Sequence, residues 1–114
     1  MKRVLITDDE EALLAVFSSI LTSAGFEVAA AADGRQALDI CARSNEPFDV
    51  LLCDLHLSGM SAKDVVGRVR KCCPEIRVVL MSGVVDSEDV GAWCPKATPT
   101  LEKPFTLPEL LSAI

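Results

Sequence analysis

The sequence predicts an α/β protein in which five parallel strands form one doubly wound sheet with helices on both faces. Five short apolar segments alternate with five segments of helical spacing along the 114 residues. The apolar segments are continuous, which is typical of strands that are buried on both faces. Strands that alternate with helices in this way form a parallel sheet with right-handed crossovers. The length corresponds to a single domain, residues 1–114.

The first half of the chain contains three predicted strands and two predicted helices. Apolar residues recur at helical spacing after the first strand, and Gly25 is a natural helix stop. The pair Asp33-Gly34 indicates a turn and a helix start. The predicted order is a strand at 4–6, a helix through 13–21, a strand at 26–31, a helix at 35–43 and a strand at 48–53 that closes on Asp54.

The second half repeats the alternation. Pro74 ends a helical segment because proline cannot continue a helix, and an apolar strand follows it. The predicted order continues with a helix at 61–71, a strand at 76–81, a short helix at 87–93, a strand at 98–102 and a final helix at 106–114.

Charge and composition exclude several classes of function. The formal net charge of −6 repels phosphate backbones and anionic lipids, so direct binding of nucleic acid is not expected. The apolar runs are far shorter than the ~20 residues of a membrane span, and the acids at 8–11 interrupt the stretch that would form an export signal. Five cysteines without a C-x-x-C pair indicate reduced thiols in a cytoplasmic protein.

Polar residues follow four of the predicted strands. In a doubly wound sheet, ligands bind beyond the carboxyl ends of the strands, so these residues are expected to converge at one edge. They are Asp8-Asp9 after the first strand, Asp54 after the third, Ser82 after the fourth and Lys103-Pro104 after the fifth.

The residue types at this edge indicate a metal and phosphoryl chemistry. Three neighbouring carboxylates repel one another unless a cation lies among them, and Mg²⁺ prefers oxygen ligands. Asp9 and Asp54 are the expected direct ligands. The Lys103 ammonium and the Ser82 hydroxyl suit the equatorial oxygens of a transferred phosphoryl group. Asp54 is then the expected nucleophile.

The same four motifs, in order and over nearly the whole chain, resemble the receiver domains of two-component response regulators. The resemblance implies a flavodoxin-like (βα)5 fold and a phosphorylation-activated signalling switch. In such a switch Asp54 takes a phosphoryl group from the phosphohistidine of a sensor histidine kinase or a phosphotransfer protein. The domain would catalyse only its own phosphorylation and dephosphorylation, and would not be a turnover enzyme.

The resemblance also implies particular roles at the site. Mg²⁺ would be held by Asp9, Asp54 and the backbone carbonyl of His56, with Asp8 acting through a water. The Lys103-Pro104 peptide bond would be cis, which would direct the Lys103 amine into the site.

Two departures from the family pattern concern how the signal leaves the site. Ser82 and Thr100 occupy the switch positions, but receivers commonly carry Tyr or Phe where this chain has Thr100. The loop at 55–62 lacks the usual Met-Pro pair. We therefore expect a non-standard output through the loop after Ser82, through the helix at 87–93, or through a rearranged homodimer face made by that helix, the fifth strand and the last helix.

Three other functions share part of this pattern. A dehalogenase-like phosphatase needs a second acid two residues after its nucleophile, where this chain has His56. A flavodoxin-like binding module needs a phosphate-cradling loop after the first strand, where the acids at 8–11 would repel phosphate. A phosphate-independent pseudo-receiver that acts as a protein-interaction module stays open. It also stays open whether the domain stands alone or belongs to a longer regulator or a hybrid kinase.

Overall fold

A computed structural model gives the fold of residues 2–57, 59–82, 99–102 and 105–114. One sheet of five parallel strands has the order β2-β1-β3-β4-β5, which confirms the predicted fold class. The predicted helix at 87–93 lies outside the described residues. The elements are β1 (Arg3–Thr7), α1 (Glu11–Ser23), β2 (Glu27–Ala31), α2 (Gly34–Arg43), β3 (Val50–Asp54), α3 (Ala62–Cys72), β4 (Arg77–Ser82), β5 (Thr100–Glu102) and α4 (Leu107–Ala113).

Helices cover both faces of the sheet, as predicted for a doubly wound protein. Successive strand residues point to opposite faces. Leu5 of β1 packs into a core with α2 and α3, whereas its neighbours Val4 and Ile6 pack into a second core with α1 and α4. All five residues of β3 are buried, which explains why that strand has no polar residue before Asp54. Among the described residues, no helix is long and apolar enough to cross a membrane.

The strand bounds differ from the prediction at the sheet edge and before β3. The edge strand β2 begins at Glu27, one residue later than predicted. It pairs only with β1, and Glu27 and Ala30 on it are exposed. The predicted strand at 48–53 begins two residues later. The Arg3 guanidinium lies 4.4 Å from the centre of the Phe48 ring, and the Arg3 amide donates to the Asp49 carboxylate at 2.8 Å. These contacts hold the entry to β3 before regular strand geometry begins.

Side-chain caps explain why two helices begin one residue later than predicted. The Ser61 hydroxyl accepts from the Asp64 amide at 3.1 Å, and Thr106 and Glu109 form a reciprocal capping box. A residue that caps a helix through its side chain has extended backbone and so precedes the first helical residue. Ser61 and Thr106, predicted as helical, are therefore N-caps.

The amino end of α2 approaches α3 so closely that only glycine fits. A Cβ atom at Gly34 would lie 2.5 Å from Val65 Cγ2 and 3.1 Å from Met60 Cβ, whereas one at Gly67 in α3 would meet nothing within 4 Å. We expect Gly34→Ala to destabilise the protein by about 1–3 kcal/mol through overpacking. Gly67→Ala should stabilise it by about 0.5–1 kcal/mol through helix propensity.

Urea denaturation of the two alanine variants beside the unaltered protein checks this pair. An equal gain in stability from both substitutions would contradict the close packing of α2 against α3.

Candidate functional site

The site lies where the direction of the chain connections reverses. The helix that follows β1 packs on one face of the sheet, and the helix that follows the neighbouring strand β3 packs on the other. Such a point leaves a crevice beyond the carboxyl ends of the two strands. The register pairs Thr7 with Cys53, so Asp8 and Asp54 each come next along adjacent parallel strands.

Three carboxylates meet at this crevice. One ligand oxygen from each of Asp8, Asp9 and Asp54 lies within 4.8 Å of the other two. Asp8 is fully buried and Asp54 is 2 % exposed, whereas Asp9 is not buried. The convergence of Asp8, Asp9 and Asp54 that the sequence predicted is therefore present in the structure. We call these three residues the acidic cluster.

Two tight turns orient the buried members of the acidic cluster. The Glu10 amide donates to Asp8 Oδ1 at 2.9 Å, and the His56 amide donates to Asp54 Oδ1 at 3.0 Å. In each turn an aspartate accepts from the backbone two residues later, a local bond that short acidic side chains favour. Asp8 thus also supports the start of α1. Support of the α1 start explains the position of the Asp8 carboxylate. It does not explain why three carboxylates lie together.

The acidic cluster fits a small divalent cation. Burying carboxylates next to one another costs free energy unless positive charge compensates them. The donors are all oxygens, which is the ligand type that Mg²⁺ and Ca²⁺ prefer. Two buried carboxylates and a more accessible third would leave ligand positions for water or for a phosphate oxygen.

A hydroxyl lies on the adjacent strand. Ser82 ends β4 and is 5 % exposed, and β4 pairs with β3 so that Met81 is opposite Asp54. The Leu55 amide donates to the Met81 carbonyl at 2.9 Å, which ties the chain after Asp54 to the end of β4. Ser82 therefore lies at the same edge as the acidic cluster, as predicted.

Comparison with known families decides which family the chain belongs to. The family model of the response regulator receiver domain matches residues 4–114. The chain belongs to the receiver domain family. Its members are signalling domains of two-component systems, and the prediction from the four motifs is confirmed at this level.

Two curated relatives show how this receiver domain compares in length. It is 28 % identical to sporulation initiation phosphotransferase F of Bacillus subtilis, with 99 % of this chain and 90 % of that protein aligned. It is 34 % identical to the transcriptional regulatory protein KdpE of Mycobacterium tuberculosis, with 100 % of this chain aligned. The chain spans 50 % of the KdpE protein.

Solved receiver structures share the fold. A chemotaxis protein CheY4 of Vibrio cholerae superimposes with a TM-score of 0.84 at 31 % identity, over 98 % of this chain and 94 % of that one. The response regulator TrrA of Thermotoga maritima, solved with Mg²⁺ and BeF, gives a TM-score of 0.79 at 27 % identity. That alignment covers 98 % of this chain and 95 % of TrrA.

The remaining predicted site residues differ in how they relate to the acidic cluster. Thr100 begins β5, is exposed and pairs in register with Leu80, two residues before Ser82. His56 is exposed, and it enters the site geometry through its amide, which was not predicted. Lys103 and Pro104, with their predicted cis bond, lie outside the described residues.

Sequence reasoning missed an aromatic contact that bears on the receiver site. Phe105 directly follows Lys103-Pro104 and stacks on Phe17 of α1, with ring centres 4.6 Å apart. This stack attaches the chain after β5 to the helix that begins beside Asp8 and Asp9. The sequence feature that could have indicated this contact is the aromatic residue immediately after the Lys-Pro pair.

Proposed function

We propose that this receiver domain is a phosphorylation-activated switch in which Asp54 accepts a phosphoryl group from a phosphohistidine. The donor would be a sensor histidine kinase or a phosphotransfer protein. The observation that carries the proposal is the buried Asp54 carboxylate at the end of β3, within 4.8 Å of the Asp8 and Asp9 oxygens. The name of the B. subtilis relative, a phosphotransferase, and the Mg²⁺ and BeF complex of TrrA support the same function.

Asp54 acts as the nucleophile in this account. A carboxylate oxygen attacks phosphorus, the bond from phosphorus to the imidazole nitrogen breaks, and its electron pair stays with the histidine. The hydrogen bond that the His56 amide donates to Asp54 Oδ1 fixes the orientation of the carboxylate before the phosphoryl donor arrives. This preorganisation reduces the entropy cost of reaching the in-line geometry.

The expected cofactor is Mg²⁺, held by Asp9, Asp54 and the His56 carbonyl, with Asp8 acting through a water. Bound Mg²⁺ would neutralise the carboxylates and the charge that develops on the phosphoryl oxygens. The Ser82 hydroxyl would donate to one phosphoryl oxygen, and the Lys103 ammonium would pair with another. Both roles rest on the resemblance and on the place of Ser82 at the end of β4 and of Lys103 next after β5 in the sequence.

The output would follow from the added charge at Asp54. The acyl phosphate would carry roughly 1.5–2 negative charges in place of the single charge of the carboxylate, which would draw in Ser82 and shift a pre-existing equilibrium between two loop arrangements. Thr100 is exposed and carries no ring that could turn inward. We therefore propose that the signal leaves through the loop after Ser82, or through a homodimer face that includes β5 and α4. We also propose that the domain acts in the cytoplasm without contacting nucleic acid.

The sensitivity of the added phosphoryl group to hydroxylamine tests whether Asp54 accepts it. We expect incubation with phosphoramidate and Mg²⁺ to add the mass of one phosphoryl group, and hydroxylamine to remove it, because hydroxylamine cleaves acyl phosphates. A modification that resists hydroxylamine would place the phosphoryl group on a hydroxyl such as Ser82 and contradict the proposal. No gain in mass would favour the phosphate-independent pseudo-receiver.

A further inference from the structure

Three cysteines meet at the edge of the sheet opposite the acidic cluster. Cys41 lies in the last turn of α2, Cys72 ends α3, and Cys73 is the C-cap of α3. The Cys41 and Cys73 side chains are 7 % and 4 % exposed, whereas Cys72 is exposed. Helices α2 and α3 pack side by side on one face, which brings two thiols from distant parts of the sequence to one place.

The two buried thiols are neighbours. Cys41 and Cys73 belong to the same buried core cluster, and Cys73 lies close enough to contribute to the raised pKa of Cys41. Burial raises the pKa of Cys41 to about 12, and the neighbouring Cys73 and Cys72 contribute to the increase. Cys41 therefore keeps its proton near neutral pH, and it is not the thiol that reacts first.

A cavity gives small molecules a route to one member of the pair. The cavity of about 400 Å³ is lined by Cys73 together with Pro47, Phe48 and Ile76. Cys73 is therefore the buried member of the pair that borders a cavity open to small molecules. Cys41 does not line this cavity.

We propose that Cys41 and Cys73 form a reversible disulfide when the protein meets a hydroperoxide. The Cys73 thiolate attacks the terminal peroxide oxygen, the O–O bond breaks, and the alkoxide leaves as an alcohol after taking up a proton. The Cys41 sulfur then attacks the Cys73 sulfenic acid, and its proton leaves with the hydroxide as water. Two thiols lose two electrons and two protons, and the peroxide is reduced to alcohol and water.

The disulfide would join the ends of α2 and α3 across 73 − 41 = 32 positions of sequence. A cross-link of this kind restricts the unfolded chain, so the oxidised protein should unfold at higher denaturant concentration. The thiol pair lies at the opposite edge from Asp54, so this modification is independent of the proposed phosphoryl transfer.

Peptide mapping after treatment with hydrogen peroxide tests the proposal on the unaltered chain. We expect the intact mass to fall by two hydrogens, the cross-linked peptide to contain Cys41 and Cys73, and dithiothreitol to restore the mass. The matched control is Cys72→Ser, which removes the exposed neighbour and should leave the cross-link in place. Cys41→Ala and Cys73→Ala should each abolish it.

Three results would overturn the proposal. The cross-link could map to Cys72 or Cys94, it could disappear in Cys72→Ser, or peroxide could oxidise the chain without loss of two hydrogens. Cys72 and Cys73 fall in one peptide, so mapping of the Cys72→Ser protein assigns the cross-link to Cys73 even if a buried alanine variant does not fold.

Discussion

Asp54→Asn is expected to abolish the gain of a phosphoryl group from acetyl phosphate. An amide oxygen is a far weaker nucleophile than a carboxylate, so the covalent step is lost. The fold should persist, because the asparagine oxygen can still accept the His56 amide that now donates to Asp54 Oδ1 at 3.0 Å. Intact-mass spectrometry in the presence of Mg²⁺ measures the result.

The matched control for this variant is Asp33→Asn. Asp33 caps α2 by accepting from the Gln36 amide at 2.7 Å, and asparagine is an equally good N-cap. The control therefore makes the same chemical change in another loop after a strand. The Asp33→Asn protein should gain a phosphoryl group as the unaltered protein does. Phosphoryl gain that survives in Asp54→Asn would mean that the acceptor lies elsewhere.

Asp8→Asn is expected to stabilise the protein when no divalent cation is present. Asp8 is fully buried, and its carboxylate lies within 4.8 Å of two others. Removing one of three like charges should raise the free energy of unfolding by on the order of 1–3 kcal/mol. The asparagine oxygen can still accept the Glu10 amide, so the turn before α1 is kept.

Thermal unfolding with and without Mg²⁺ separates repulsion from other effects of the substitution. We expect Asp8→Asn to raise the midpoint by several degrees in chelator, and Mg²⁺ to stabilise the unaltered protein more than the variant. The control is Glu75→Gln, which removes a charge in the turn between α3 and β4 and should change neither midpoint by much. A variant that is less stable in chelator would contradict a repulsive cluster.

The sequence could predict the acidic cluster because it follows from topology. In a parallel sheet every strand ends at the same edge, so polar residues after consecutive buried strands must converge. The register of β1 and β3 then makes Asp8 and Asp54 neighbours. No fine packing is needed for this inference, and the prediction was correct without knowledge of the strand order.

Other features could not be predicted because they depend on how helices pack. Gly34 must be glycine only because Val65 of α3 lies against it, and Cys41 has Cys73 as a neighbour only because α2 and α3 pack on the same face of the sheet. Hydrophobic spacing gives the face of each helix and leaves its axial position open. The stack of Phe105 on Phe17 likewise depends on the placement of α1.

We expect phosphorylation of Asp54 to require a divalent cation bound at the acidic cluster. The most direct test is the time course of intact mass with acetyl phosphate, in Mg²⁺ and in excess chelator. We expect one added phosphoryl group with Mg²⁺ and none with chelator, and we expect phosphorylation to return when Mg²⁺ is restored. Equal loading in both conditions would contradict the role assigned to Asp8, Asp9 and Asp54 as a metal centre.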